Sequence, residues 1–280
     1  MTARMWISST QRATEAIMGK PLYTAGASGY DDVFAHVTGL FLPAVLTAAG
    51  IARGQHVLDA ATGTGEAAIA AAEIVGASGA VVAGDISPAM LDIARRKRPA
   101  APVTFEGFDA HALPYPDGRF NAVICQLGLM FFADPARALS EFYRVLRPRG
   151  RVAVGVSTTP ERSLFLRVGT AIVRHAPDRV VAFDRYFEIS DAGRLRALLA
   201  GAGFRDIQVN SESRDVRFAS FNDYFAAIER GATLSGQEFV LLPEKVQRAV
   251  REDVRRALLP EGPEAPLTIN VELLVGSGRR

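Results

Sequence analysis

From Asp32 to Gly50 the apolar residues Val33, Phe34, Val37, Leu40, Phe41, Val45 and Leu46 recur at helical spacing, and Gly50 is placed to end that helix. The run His56-Val57-Leu58-Asp59 is short and apolar and stops at Thr62-Gly63-Thr64-Gly65, which predicts a buried strand entering a glycine turn. Ala67 to Val75 follows as a helix of small residues, closed by Gly76 or Gly79. The alternation then repeats. Ala80 to Gly84 reads as a strand, and Ser87-Pro88 opens a helix to about Arg98, with the cap and first-turn residues favoured there. Pro102 to Gly107 and Phe120 to Cys125 are the third and fourth strands. Asp134-Pro135 caps a helix from Ala136 to Leu146, and Pro148-Arg149-Gly150 turns into a fifth strand, Arg151 to Val156. Strands alternating with helices at this spacing predict an α/β fold: a doubly wound, mostly parallel sheet with helices on both faces.

After Ser157 the pattern changes. Arg162 to His175 reads as an added helix, and Val180 to Ile189 as an aromatic loop carrying Phe183, Tyr186 and Phe187. Asp191 to Gly201 is helical, and Ile207 to Val209 begins a sixth strand. Ala219 to Gly231 and Pro243 to Leu258 are two more helices, Pro260 to Pro266 breaks the pattern, and Leu267 to Val275 is a terminal strand. Three regions are expected: N-terminal helices or a lid over 1–50, a cofactor-binding core over 51–157, and a C-terminal half of the sheet over 158–280. That last region carries helical substrate-cap insertions at about 158–190 and 215–262.

Composition narrows the class. The 32 Lys+Arg are nearly balanced by 30 Asp+Glu, leaving a net charge of +2, and no Lys/Arg-rich block marks a nucleic-acid patch. Cys125 is the only cysteine, so no intrachain disulfide forms, and no stretch is long and apolar enough to span a membrane. The expectation is a cytoplasmic protein acting on a small molecule, with no nucleic-acid or membrane partner, as a monomer or homodimer.

The glycine turn alone is ambiguous. Gly63-Thr64-Gly65-Glu66-Ala67-Ala68 fits the dinucleotide pattern, and Asp85 lies twenty residues past Gly65, as a nicotinamide enzyme would also have it. Three acids separate the possibilities. Asp59, four residues before Gly63, would repel a pyrophosphate, but it suits the ammonium and sulfonium of S-adenosylmethionine. Asp85, ending the second strand, can accept both ribose hydroxyl protons, with Ile86 offering an apolar face to adenine. Asp109, after the third strand, can accept the adenine amino proton, and the next backbone N–H, that of Ala110, can donate to the ring. One acid at each of three successive strand tips matches one ligand lying across the carboxyl ends of the sheet.

With these residues in place, the chain resembles the class I S-adenosylmethionine-dependent methyltransferases, and within them the type-11 group that includes the ubiquinone/menaquinone C-methyltransferases. The resemblance rests on VLDAATGTG (57–65), VAGDISPAMLDIARRK (82–97), FDAHALPYPDGRFNAVICQLGLMFF (108–132) and EFYRVLRPRGRVAV (141–154). It implies a seven-stranded Rossmann-like sheet. It also implies that Asp59 and the backbone of Ala61 and Gly63, in the turn that Gly65 completes, hold the methionine end of the cofactor. Asp85 would then bind ribose, Ile86 and Met90 would pack on adenine, and Asp109 and Ala110 would read its edge. Gln126 would place its backbone near the methionine portion, and Tyr23 or Tyr30 would belong to an N-terminal lid. The segment Tyr30–His36 and the insertions after Ser157 depart from the ubiquinone/menaquinone branch.

Methyl transfer from a sulfonium is an in-line displacement that proximity and exclusion of water can largely drive. If the acceptor must lose a proton early, His36 and His175 are the candidate bases. No residues stand at metal-ligand spacing, so no metal is expected. The aromatic residues concentrated in the insertions suggest a small, largely apolar or aromatic metabolite methylated on O, N or C. The competing readings are an RNA methyltransferase and a non-catalytic S-adenosylmethionine-binding protein.

Overall fold

The computed structural model describes residues 30–31, 37–97, 102–177, 188–258 and 266–280. Its centre is a seven-stranded sheet in the order β3-β2-β1-β4-β5-β7-β6. The strands are β1 (His56–Ala60), β2 (Ala80–Asp85), β3 (Val103–Gly107), β4 (Phe120–Gln126), β5 (Leu146–Ser157), β6 (Arg205–Phe218) and β7 (Leu267–Arg279). The first five run parallel, and β7 enters antiparallel between β5 and β6. The chain reverses strand order at β1, which opens a crevice between the carboxyl ends of β1 and β4, where open α/β sheets bind ligands.

Helices α1 (Leu42–Ala48), α2 (Glu66–Val75), α3 (Pro88–Arg96), α4 (Pro135–Val145), α5 (Leu166–His175), α6 (Ala192–Gly201), α7 (Phe221–Glu229), α8 (Leu234–Phe239) and α9 (Glu244–Leu258) surround it. Alternation along the strands builds two cores. Val57, Val81, Ala122, Ile124 and Ala153 pack with α1 and α2 on one face. Leu58, Val82, Val123, Cys125 and Val152 pack with α4 and α6 on the other. The predicted caps form: Ser87 accepts from Met90 N–H at 3.4 Å, and Asp134 accepts from Arg137 N–H at 2.9 Å.

A third core lies beyond the sheet. The β5–β7 ladder ends at Ser157↔Leu273, but the β6–β7 ladder continues to Phe218↔Leu267, so a two-stranded ribbon projects past the carboxyl edge. Leu267, Ile269, Val271 and Leu273 share one face of β7 and are buried against Ile172, Phe221, Tyr224, Phe225, Phe239 and Val250 from α5, α7, α8 and α9. Tyr224, fully buried, donates its hydroxyl to Leu164 O at 2.8 Å, so the ring is buried without leaving a polar orphan.

Several boundaries differ from the sequence reading. The sixth strand starts at Arg205, not Ile207, and its 14 residues reach Phe218, inside the stretch assigned to a helical insertion from about 215. Its outer face is solvated at an edge, so its apolar residues are too sparse to announce a strand. The helix expected from Arg162 begins at Leu166, because Pro160–Arg162 closes a single 3₁₀ turn first. Helix α8 was not anticipated, although Thr233 caps it by accepting Gly236 N–H at 2.8 Å. The helix expected from Asp32 turns at Leu40-Phe41 before α1, and most of the aromatic loop over 180–189 lies outside the described residues.

Candidate functional site

A cleft of about 520 Å³ opens at the carboxyl ends of β1, β2 and β4, a volume typical of small-molecule sites. Its floor is the tip of β1. Asp59 sits on the central strand between Ala83 of β2 and Ile124 of β4, and no part of it reaches solvent. Thr62 donates its hydroxyl to Asp59 Oδ2 at 2.6 Å, while Oδ1 has no hydrogen bond of normal geometry. Burial pushes the carboxyl up to about 7; the Thr62 hydroxyl and Ala68 amide oppose this only in part, and Asp85 adds repulsion.

The turn above Asp59 is made of left-handed backbone. Ala61, Gly63 and Gly65 have φ of 61°, 56° and 92°. At Gly65 a Cβ would also come within 3.1 Å of Ala94 Cβ and of the Phe105 ring, so glycine lets α2 start close against α3 and β3. Asp85 ties this turn to the next unit: Oδ2 accepts Gly63 N–H and Oδ1 accepts Ser87 N–H, both at 2.9 Å. Burial raises its pKa, and these amides, with that of Ile86, pull the other way. Each carboxylate oxygen keeps a second lone-pair site for a ligand hydroxyl.

Beside Asp85, Ile86 is 64% exposed and lines the cleft with the buried Met90, giving it an apolar face. Tyr30 packs against Met90 and Ile93. Lys97 bonds Asp31 at 2.6 Å and also contacts Glu66 at the first turn of α2, so one cation joins the Tyr30–Asp31 segment to the cleft wall. On the rim of the cleft, Asp109 Oδ1 accepts His111 N–H at 2.9 Å and lies 2.6 Å from His111 Nδ1. His111 Nε2 accepts Asp134 N–H at 3.2 Å, so the ring proton is on Nδ1 and donates to Asp109. These hydrogen bonds hold the Asp109 carboxyl below the usual range despite partial burial.

The opposite wall is the segment after β4. Gln126 has both side-chain polar atoms buried without a partner, and Leu127 adopts φ 55°, a strained conformation for this residue. Gly128 is required by close approach: a Cβ there would lie 2.5 Å from Ala61 Cβ and 2.9 Å from Cys125 Sγ. Thr38 and Leu127 line a second cavity of about 40 Å³ on the side of the projecting ribbon.

The cleft therefore gathers Tyr30, Asp59, Ala61, Gly63, Asp85, Ile86, Met90, Asp109, Ala110 and Gln126, with Gly65 directly behind it. Tyr23 and His36 lie outside the described residues. His175 is not at the cleft; it ends α5, and its Nε2 is 3.1 Å from Asp253 Oδ2 of α9, a carboxylate shared with Arg174. It was singled out as a candidate base because the sequence does not reveal α9 as its neighbour. The sequence reading also missed Thr62, Leu127, the Lys97 bridge and the smaller cavity. Thr62 could have been suspected from standing three residues after Asp59. Among the described residues no three His, Cys, Asp or Glu side chains come together as a metal site.

Chemically, the cleft presents two close acids, an unsatisfied carboxylate oxygen and an unsatisfied amide, with an apolar face beside them. It favours a ligand with cationic and hydrogen-bonding atoms at one end and a flat apolar group at the other. Residues 58–154 match the model of a methyltransferase domain. The chain is 40% identical over 171 residues to a demethylmenaquinone methyltransferase of Thermus thermophilus, covering 54% of this chain and 74% of the relative. It is 35% identical over 165 residues to a demethylmenaquinone methyltransferase of Deinococcus radiodurans, covering 54% and 68%. Its fold is similar to that of phosphoethanolamine N-methyltransferase 2 of Haemonchus contortus, solved with phosphomonomethylethanolamine and S-adenosylhomocysteine. That likeness has a TM-score of 0.57 at 16% identity and covers 98% of this chain and 60% of the other.

Proposed function

The chain belongs to the class I S-adenosylmethionine-dependent methyltransferases of the type-11 group, and from that premise we propose that it methylates a small, largely apolar or aromatic metabolite bound against its helical cap. The observation that carries the site assignment is Asp59. A buried carboxylate with an unpartnered oxygen gains most from a cation, and a pyrophosphate in the same place would be repelled.

In this reading Asp59 and the amides of the 61–65 turn hold the amino-acid end of the cofactor, with Gln126 completing its partners. Asp85 receives the ribose hydroxyls while it keeps its bonds to Gly63 and Ser87, so the group that binds also fixes the turn. Ile86 and Met90 cover adenine, and Asp109 with the Ala110 amide reads its edge. The Tyr30–Asp31 segment, held by Lys97, closes the near side. When bound, S-adenosylmethionine supplies an electrophilic methyl group on a sulfonium, and the protein's part is to align the acceptor and exclude water. Residues 158–177 and 219–258 form the acceptor side, because their core is separate from the sheet and meets the cleft at Leu127.

Two measurements test the proposal. S-adenosylhomocysteine should raise the melting temperature more than NADH does, by linkage to binding. Tritiated methyl transfer from S-adenosylmethionine should appear on apolar aromatic acceptors and not on RNA. Preferential stabilisation by NADH, or transfer to RNA alone, would overturn it.

A further inference from the structure

The smaller cavity has a composition unlike the cleft it adjoins. Its walls are aliphatic and aromatic, chiefly Phe41, Leu164, Phe165, Val271 and Leu273, and they carry five hydroxyl groups and no ionisable side chain. Most of those hydroxyls are committed. Thr233 accepts Gly236 N–H, Ser235 donates to Phe165 O at 3.2 Å, and Thr38 and Ser157 have partners of their own. Ser163 differs: its side chain is buried, yet its hydroxyl makes no hydrogen bond among the described residues. It caps the Pro160–Arg162 turn, its N–H donating to Pro160 O at 3.3 Å, and precedes α5, so the backbone holds it at the cavity wall.

The Ser163 hydroxyl is not one of the fully enclosed unpartnered atoms, so in a residue that is otherwise buried it remains open to a hydrogen-bonding group in the cavity. The cavity, about 40 Å³, has room for a group the size of a hydroxyl or a methyl. It shares Thr38 and Leu127 with the wall of the cleft, and Leu127 directly follows Gln126. We propose that this cavity is the acceptor's anchoring subsite, taking one hydroxyl or carbonyl substituent of an apolar ring, with Ser163 as the residue that selects it. The inference rests on the methyltransferase reading above and adds to it the chemistry of the anchored end. Because no base lines the subsite, the substituent bound there is recognised by hydrogen bonding and keeps its proton.

The test uses phenol and toluene, which share a shape and differ only in hydroxyl against methyl. Their affinities for the S-adenosylhomocysteine-loaded protein are measured by ligand-observed NMR. Wild type should favour phenol about fivefold, as one neutral hydrogen bond allows. Ser163→Ala should erase that preference with cofactor affinity and melting temperature unchanged, and Ser163→Leu, which fills the cavity, should abolish binding of both probes. A phenol preference that survives in Ser163→Ala overturns the proposal. So does failure of both probes to bind wild type while S-adenosylhomocysteine binds normally. Failure of S-adenosylhomocysteine itself to bind would instead sink the methyltransferase reading beneath it.

Discussion

Asp59→Asn separates what the buried carboxylate costs from what it contributes. The substitution keeps shape and removes charge. With the folded carboxyl near 7 against an ordinary 3.8, the group binds its proton more tightly when folded. Its contribution is therefore neutral below the unfolded value. It turns increasingly unfavourable as pH rises from about 4, and it levels off above the folded value near 7. A rise of about three units corresponds to about 4 kcal/mol, an upper bound because relaxation and water entry reduce it. Urea unfolding should show wild type losing stability relative to Asp59→Asn between pH 4 and 7.5, with the variant the more stable above 7. Cofactor affinity should move the opposite way. At pH 6.5 wild type should release more than about half a proton per S-adenosylhomocysteine bound, measured by calorimetry in buffers of different ionisation enthalpy. Asp59→Asn should release correspondingly less and bind more weakly. Urea midpoints that run parallel across this range in the two proteins would refute the reasoning.

Other sites give sharper structural outcomes. Asp85→Ala strips acceptors from Gly63 and Ser87, so S-adenosylhomocysteine affinity should fall by a few kcal/mol, at roughly 1.5–3 per charge-assisted bond; unchanged affinity in calorimetry would contradict the site. Gly128→Ala drives a methyl against Ala61 and Cys125 and should cost about 1–3 kcal/mol in urea unfolding, with weaker cofactor binding in parallel. Lys97→Met breaks the bridge between Asp31 and Glu66. It should cost under about 1 kcal/mol of cofactor affinity at low salt and nothing at 1 M salt, where such pairs are screened.

The nucleotide half of the fold was legible because local rules and tertiary structure agree there. β1, β2 and β4 are short apolar runs that are almost wholly buried, each turn carries its own Gly or Pro signal, and the caps at Ser87 and Asp134 form as expected. The acids at the strand tips were legible for the same reason, since a parallel sheet brings successive tips together. What spacing does not carry is partnership across long separations. Lys97 meets Glu66 and Asp31, and Asp253 meets His175, from elements far apart in the chain. Nor does residue type reveal that Leu127 has a positive φ, because that conformation is imposed by the hydrogen bond from its N–H to Gly155 O and by the crowding at Gly128.

The cap was harder to read. Its core is built on a ribbon that has left the sheet, so β6 is half-solvated and its polar outer face hides the strand. That ribbon lets the cap helices pack on Ile269 and Val271, and the cap meets the residues lining the cleft at Leu127 and Thr38. The two cores share Leu127, whose strained backbone places it against both. Substitutions in the cap should thus alter its core at little cost to the cleft, while a change at Leu127 must affect both. On the function proposed above, binding of cofactor and of acceptor should accordingly be separable by mutation along the ribbon and coupled at Leu127 and Thr38.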